Sequence, residues 1–192
     1  VRSRKSGFTL IELLIVLAIL GLIAGIALPN FGKMRNRIAL RAAAGELRSI
    51  FHLVRMRAIT TGAHNGVKFV QIAGTWHFIL YEDGDRDGVR NDDIKSGVDK
   101  PLSPPRVVFR ESRNITIGLI DTAVKDADGD PVKSPVVFNN STICSFSPLG
   151  QSTPGTIYIT DSAGDLWCVR VYGASAKIRT LRYEPRTRKW VV

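Results

Sequence analysis

Histidine and cysteine are scarce in this chain, with three and two in 192 residues. His52, His64 and His77 show no metal-ligand spacing and no nucleophile motif accompanies them, so they read as structural or surface residues and the chain as no enzyme. Cys144 and Cys168 fall on expected strands, where one disulfide and two buried free thiols are both open readings. Acid is thin as well: 17 Asp and Glu stand against 27 Lys and Arg, a formal charge of +10. Long hydrophobic runs are limited to one near the N-terminus. The rest of the chain is enough for a single domain with its own core, and no second domain is needed.

That one run, Phe8 to Leu28, holds 21 residues and a single carboxylate, Glu12. As a helix rising ~1.5 Å per residue it would span roughly 30 Å, the thickness of a bilayer's hydrocarbon. Arg2, Arg4 and Lys5 precede it and, by the positive-inside rule, keep the N-terminus cytoplasmic. Two processing schemes fit such a start. A secretory signal would be cut near Gly25-Ile26-Ala27 and release the remainder of the chain. A cut between Gly7 and Phe8 would instead leave the helix on the mature chain, with a new α-amino group at Phe8. Glu12 separates the two, because a carboxylate in hydrocarbon costs about 3 kcal/mol and calls for a partner. The Phe8 amine of a neighbouring subunit supplies one; a secretory signal does not.

The basic leader, then Gly7, Phe8, Thr9, Leu10, Ile11 and Glu12, then an apolar helix with Gly21 and Pro29, resembles the class III leader of type IV pilins and type II secretion pseudopilins. The resemblance implies cleavage after Gly7 by a prepilin peptidase, N-methylation of Phe8, and pairing of Glu12 with a neighbour's amine during filament assembly. Loss of the leader would leave 24 cations against 17 acids, or +7 before the terminal amine.

Pro29 lacks an N–H and crowds the preceding turn, so a kink or local break is expected between Gly21 and Pro29. The helix then resumes, with Phe31, Met34, Ile38, Ala42, Leu47, Ile50 and Val54 as its apolar stripe and Lys33, Arg35, Arg37, Arg41 and Arg48 facing out, and ends near Thr60-Thr61-Gly62. From Val67 short β-rich runs take over: VKFVQIA, WHFILYE, RVVFR, ITIGLI, PVVF, TICSF, GTIYITD, LWCVRVY and AKIRTLRY. Hairpins are expected between Ala73 and Trp76, between Asp161 and Asp165, and at Glu184-Pro185. The fold class is therefore α+β: a long N-terminal helix, half transmembrane and half amphipathic, packed on an antiparallel β-sheet domain of pilin-like form. The expected divisions are leader 1–7, transmembrane and assembly helix 8–29, amphipathic helix 30–62 and periplasmic β-domain 63–192.

A narrower likeness rests on ELRSIFHLVRMRAITTGAHNGVKF and FSPLGQSTPGTIYITDSAGDLWCVRVYG, which are similar to the GspH/FimT family of minor pseudopilins and minor pilins. Arg55 and Ala58 match that family's helix end, and Phe146, Pro148 and Gly150 its turn before the last strands. The family's Gly-Arg-x-Arg ending is absent from Gly173 to Arg182, which weakens transfer of the DNA binding of FimT-like members. The resemblance implies a minor pseudopilin of a type II secretion system, with other pilin-like subunits, a prepilin peptidase and the bacterial inner membrane as partners. A type IV pilus minor pilin, serving as a DNA receptor, is the alternative.

Two further constellations stand out. In Asp83-Gly84-Asp85-Arg86-Asp87-Gly88-Val89-Arg90-Asn91-Asp92-Asp93, the alternation of Asp83, Asp85 and Asp87 before a Gly turn suits Ca²⁺, with the Val89 carbonyl, Asn91 and Asp93 as further ligands. Position twelve is Ile94 rather than Glu, and a solvated turn explains the same residues equally well. The shorter cluster Asp126 to Asp130 reads as a turn. Near the C-terminus Lys177, Arg179 and Arg182, with Tyr183 and Trp190 among neighbouring cations, are the candidate nucleic-acid strip. Strand alternation would split them between faces, so nucleic acid is not the favoured partner.

Overall fold

The computed structural model describes residues 9–109, 114–121, 124–161 and 163–191, with the side chains of 26–31 and 33 outside the description. The processing positions Gly7 and Phe8 therefore lie outside the described residues, as does the side chain of Pro29.

The apolar N-terminal run and the amphipathic stretch form one helix, α1 (Leu10–Thr61). Its start is a capping box: the Glu12 N–H donates to Thr9 Oγ1 at 3.3 Å, and the Thr9 N–H donates to Glu12 Oε2 at 2.8 Å. Its end is Gly62 in the left-handed conformation (φ 67°), whose N–H donates to the Ala58 carbonyl. Of the kink or local break expected between Gly21 and Pro29, the break does not form, since the helix is continuous through Pro29. Among the described residues no helix is long and apolar enough to cross a membrane. The run behind that expectation, Phe8 to Leu28, reaches beyond the described side chains at both ends.

The buried stripe of α1 is Leu40, Ala44, Leu47, Phe51, Val54 and Ala58, at alternating spacings of four and three, flanked by Ala43 and Ile50. Met34, Ile38 and Ala42, expected on that stripe, are exposed. Leu47, Ile50 and Val54, expected on the same stripe, are buried, so the expected face holds in the second part of the helix and fails before it, where Leu40, Ala43 and Ala44 are buried instead.

The β runs build two antiparallel sheets. In the first, β1 (Asn65–Ile72) and β2 (Thr75–Glu82) form a hairpin in register Asn65↔Glu82 to Ile72↔Thr75. Its turn is Ala73-Gly74, both at positive φ (48° and 77°), a two-residue connection that matches strand twist. After the short helix α2 (Asn91–Ser96), β3 (Lys100–Pro101) and β4 (Arg106–Val107) both pair with the outer edge of β2. In the second sheet β5 (Ile115–Ile117) and β6 (Val136–Phe138) pair with β8. The strand β7 (Ile143–Phe146) returns to the first sheet beside β1. The second sheet is then completed by β8 (Gly155–Asp161), β9 (Leu166–Val171), β10 (Ile178–Glu184) and β11 (Lys189–Val191), in the order β11-β10-β9-β8-β5. All three expected hairpins form. Two elements had no counterpart in the sequence reading: the two-residue β3, and α2, whose Asp and Asn content reads as loop.

The helix and both sheets share one core. Phe51 stands at its centre, with ring centroids 6.0 Å from Phe69, 5.8 Å from Phe138 and 6.3 Å from Phe146. Val67 and Cys144 come from the first sheet, and Ile157, Ile159, Val169 and Ile178 from the second. The outer face of the second sheet carries a smaller cluster of Val124, Val132, Tyr158, Leu166, Cys168, Leu181 and Tyr183, closed by Trp190.

Candidate functional site

Three regions drew attention in the sequence, and the structure treats each differently. At the start of α1, Glu12 is exposed and accepts hydrogen bonds from both the Thr9 N–H and the Thr9 hydroxyl at 2.8 Å. Within a single chain its carboxylate is thus occupied by the helix start. The Thr9-x-x-Glu12 spacing of a capping box was legible in the sequence and was not used.

The acidic loop sits at the end of β2, over a cluster of Tyr81, Val89 and Ile143. Asp83 is buried, and it organises the turn: Oδ1 accepts the N–H groups of Asp85 (3.0 Å) and Arg86 (2.9 Å), and Oδ2 that of Gly88 (2.8 Å). Burial opposes ionisation of this carboxyl, but the three N–H groups outweigh burial and hold it below the usual carboxylate range. Asp99, which sequence reasoning missed, fastens the far side by accepting from the Gly84 N–H at 3.2 Å and the Arg90 N–H at 2.9 Å. Gly84 is required there, because a Cβ would fall 2.2 Å from the Val98 carbonyl oxygen. Gly88, at φ 95°, takes a conformation that side chains disfavour.

Asp83, Asp85 and Asp87 each place an oxygen within 4.8 Å of the others, close enough for one hard cation to touch all three. Asp93 feels the charge of Asp85 but is not one of the three that converge. Partial desolvation, and then the charge of neighbouring carboxylates, push Asp85 and Asp93 above the ordinary range. Arg90 pairs with Asp87 and supplies part of the compensation. Of the other expected ligands, Asn91 opens α2, and Val89 uses its N–H to bond the Ser145 hydroxyl at 3.2 Å. The second acidic cluster is a turn closed by Asp126 Oδ1, which accepts from the Asp128 and Asp130 N–H groups, both at 2.9 Å.

The C-terminal cations do not form one strip. Arg182 lies across from Trp167, on the face turned toward α1, whereas Arg179 lies across from Arg170, on the opposite face, with its guanidinium 6.0 Å from the Tyr172 ring. Lys177 sits in the turn before β10. Tyr183 and Trp190 are spent on each other, ring centroids 5.1 Å apart. Of the two readings open for the cysteines, the structure has the free thiols: Cys144 and Cys168 are unbonded and buried, on different sheets and in different clusters. Desolvation holds the Cys144 thiol well above its ordinary value and pushes that of Cys168 up to about 12.

The family-matched positions do converge. Arg55 Nη1 donates to the Ala176 carbonyl at 3.4 Å, and its other nitrogen approaches Gly150, tying the end of α1 to the turns before β8 and β10. Ala58 and Phe146 are fully buried.

A capped apolar helix start on a helix that then packs against β-sheets defines a pilin-like architecture, and residues 2–28 match the prokaryotic N-terminal methylation motif. Residues 43–175 match the family described as Type II transport protein GspH, and the chain belongs to that family. Three curated relatives are similar to parts of it. The type IV major pilin protein PilA of Myxococcus xanthus is 48% identical over 48 residues, 25% of this chain and 22% of the relative. The pilin-like protein PilA1 of Thermus thermophilus is 39% identical over 79 residues, 41% of this chain and 49% of the relative. The prepilin peptidase-dependent protein A of Clostridium perfringens is 29% identical over 125 residues, 62% of this chain and 88% of the relative. The first two alignments thus span about a fifth and about half of those relatives. No solved structure matches this chain. The family is one of structural subunits that assemble with other pilin-like subunits.

Proposed function

We propose that this chain is a minor pseudopilin of a type II secretion system. A prepilin peptidase cuts after Gly7 and Phe8 is N-methylated. The subunit waits in the inner membrane with its β-domain in the periplasm, then enters the pseudopilus near the tip. The observation that carries this reading is the division of α1. Its N-terminal half exposes apolar side chains all round from Leu10 to Ile23, and its C-terminal half buries one stripe in its own domain. Such a helix is finished only when something apolar surrounds its first half: lipid before assembly, other helices after it. On joining the filament Glu12 exchanges its bonds to Thr9 for the Phe8 amine of a neighbour, which sets the register. Pro29, in the middle of the unbroken helix, removes one backbone N–H there and gives the assembly half freedom to bend.

The test is processing and incorporation. Gly7→Val should block cleavage, and mass spectrometry of the wild-type mature chain should find methylated Phe8 first. A mature chain starting at Leu28 would end the reading.

The pilin names of the relatives keep a type IV pilus minor pilin as a second reading, with DNA uptake as its function. Under the pseudopilin reading duplex DNA binds only weakly. Tight binding at physiological salt that is lost on replacing Arg179 and Arg182 would favour the pilus.

A further inference from the structure

Four arginines, Arg37, Arg41, Arg48 and Arg55, recur along one flank of α1 at spacings of four, seven and seven, beside the second sheet. The two outer ones have partners. Arg37 meets Asp165 at 3.8 Å, and Arg55 donates to the Ala176 carbonyl. The two inner ones do not: Arg41 and Arg48 stand over a groove of about 570 Å³ between the helix and the sheet, and Arg182 enters it from β10. The remaining lining is Ala44, Gly45, Trp167, Thr180 and Val191, with no carboxylate. Among the described residues none of these three guanidinium groups makes an ion pair or hydrogen bond. The Trp167 indole N–H in the groove wall is likewise buried without an acceptor.

Three like charges around one concavity repel one another unless an anion lies between them. We infer that this groove is a docking site for an acidic peptide segment of another protein, whose carboxylates pair with Arg41, Arg48 and Arg182. Arg41 and Arg48 are two turns apart, about 10 Å along the helix, so they read two separated carboxylates rather than one small anion. Ala44, Trp167 and Val191 give a peptide backbone an apolar floor. A lipid headgroup is out of reach, since Arg41 lies thirteen residues, or roughly 20 Å of helix, beyond Leu28 at the end of the apolar run. Nucleic acid fits less well, because Tyr183 and Trp190 pack on the opposite face of the sheet, which leaves the half-buried Trp167 as the one ring lining the groove. The inference stands on the groove itself and holds for a secretion filament or a pilus.

The experiment uses the full chain in detergent micelles and fluorescein-labelled hexaglutamate, followed by anisotropy. Saturable binding that weakens with salt is expected. Arg41→Glu combined with Arg48→Glu should lower affinity at least about tenfold, while Arg179→Glu, on the other face, should change it less than about twofold. Arg41 and Arg48 have no ion-pair or hydrogen-bond partner to lose, Arg179 gives up only its contact with the Tyr172 ring, and an unchanged melting temperature would show that the variants fold. An independent measurement needs no variant: bound hexaglutamate should protect Arg41, Arg48 and Arg182, and not Arg179, from phenylglyoxal, read by mass spectrometry. Absence of saturable binding, or equal losses from groove and outer-face variants, would overturn the proposal. So would a single-stranded oligonucleotide of equal charge that binds more tightly and protects the same arginines, which would assign the groove to phosphate.

Discussion

The two halves of α1 share a backbone and little else. From Leu10 to Ile23 the large apolar side chains keep between 49% and 78% of their surface, with no side favoured. From Leu40 to Ala58 a narrow stripe is buried and mostly polar residues take the rest. One helix therefore carries two kinds of apolar sequence, one satisfied within the chain and one that the chain alone cannot satisfy. A helix that is apolar all round expects surroundings, whereas a striped one expects a neighbour on one side.

The largest expected effect sets one half against the other. Phe51→Ala empties the centre of the shared core and should destabilise the folded chain by about 3–5 kcal/mol, while Leu14→Ala, which is exposed and belongs to no core cluster, should leave the melting midpoint of the β-domain where it was. Chemical denaturation of the two variants in the same detergent would test this, and equal losses would dissolve the distinction.

Ca²⁺ sharpens the comparison from the acidic side. The carboxylates of Asp83, Asp85 and Asp87 converge with only partial compensation, so millimolar Ca²⁺ should raise the melting temperature of the β-domain by several degrees through mass action. Asp85→Ala with Asp87→Ala should remove the increase, and Mg²⁺ should give less of it. Identical melting curves in EDTA and in Ca²⁺ would show that Arg86 and Arg90 suffice as counter-charges.

Acid should act on the same loop in a definite direction. The folded pKa of Asp83 is depressed, so its stabilising contribution is complete above the ordinary carboxylate pKa and fades as pH falls through the lower folded value. Asp85 and Asp93 are shifted upward, so their ionisation opposes folding and their protonation relieves repulsion as the pH enters that range from above. Asp83→Asn should therefore lower stability at neutral pH and flatten its fall in acid, measured as melting temperature against pH.

The smallest effect belongs to the unpacked half. Glu12→Ala removes one member of the capping box, a loss confined to the exposed first turn, and should leave domain stability unchanged. On the filament reading it should nonetheless abolish crosslinking to neighbouring subunits. Normal incorporation would mean that Glu12 is a cap and nothing more.

Much of the fold was legible because local signals agreed with the tertiary result. Gly62 stops the helix, Ala73-Gly74 turns the first hairpin, and the alternating runs mark nearly every strand. The stripe was misread at Met34, Ile38 and Ala42 because periodicity alone does not say which of two apolar phases meets a sheet. That choice depends on Phe69, Phe138 and Phe146, which arrive from strands far along the chain. Asp99 was missed for a similar reason: its role is to accept N–H groups of Gly84 and Arg90, fifteen and nine residues earlier, and no local pattern announces that. The division of the C-terminal cations was legible, because a period of two along β10 places Arg179 and Arg182 on opposite faces.

The way the sheets end has its own consequence. Among the described residues, the first sheet continues beyond β2 only as two fragments of two residues, Lys100–Pro101 and Arg106–Val107, the former including a proline with no N–H to offer. The second sheet stops on one side at β11, three residues that begin with Lys189. Short, charged and interrupted margins of this kind give an incoming strand almost nothing to zip onto. In the proposed filament, subunits crowded side by side would thereby be kept from fusing through their sheets into a continuous β-ribbon, and growth would be left to the part of the molecule with no strands at all.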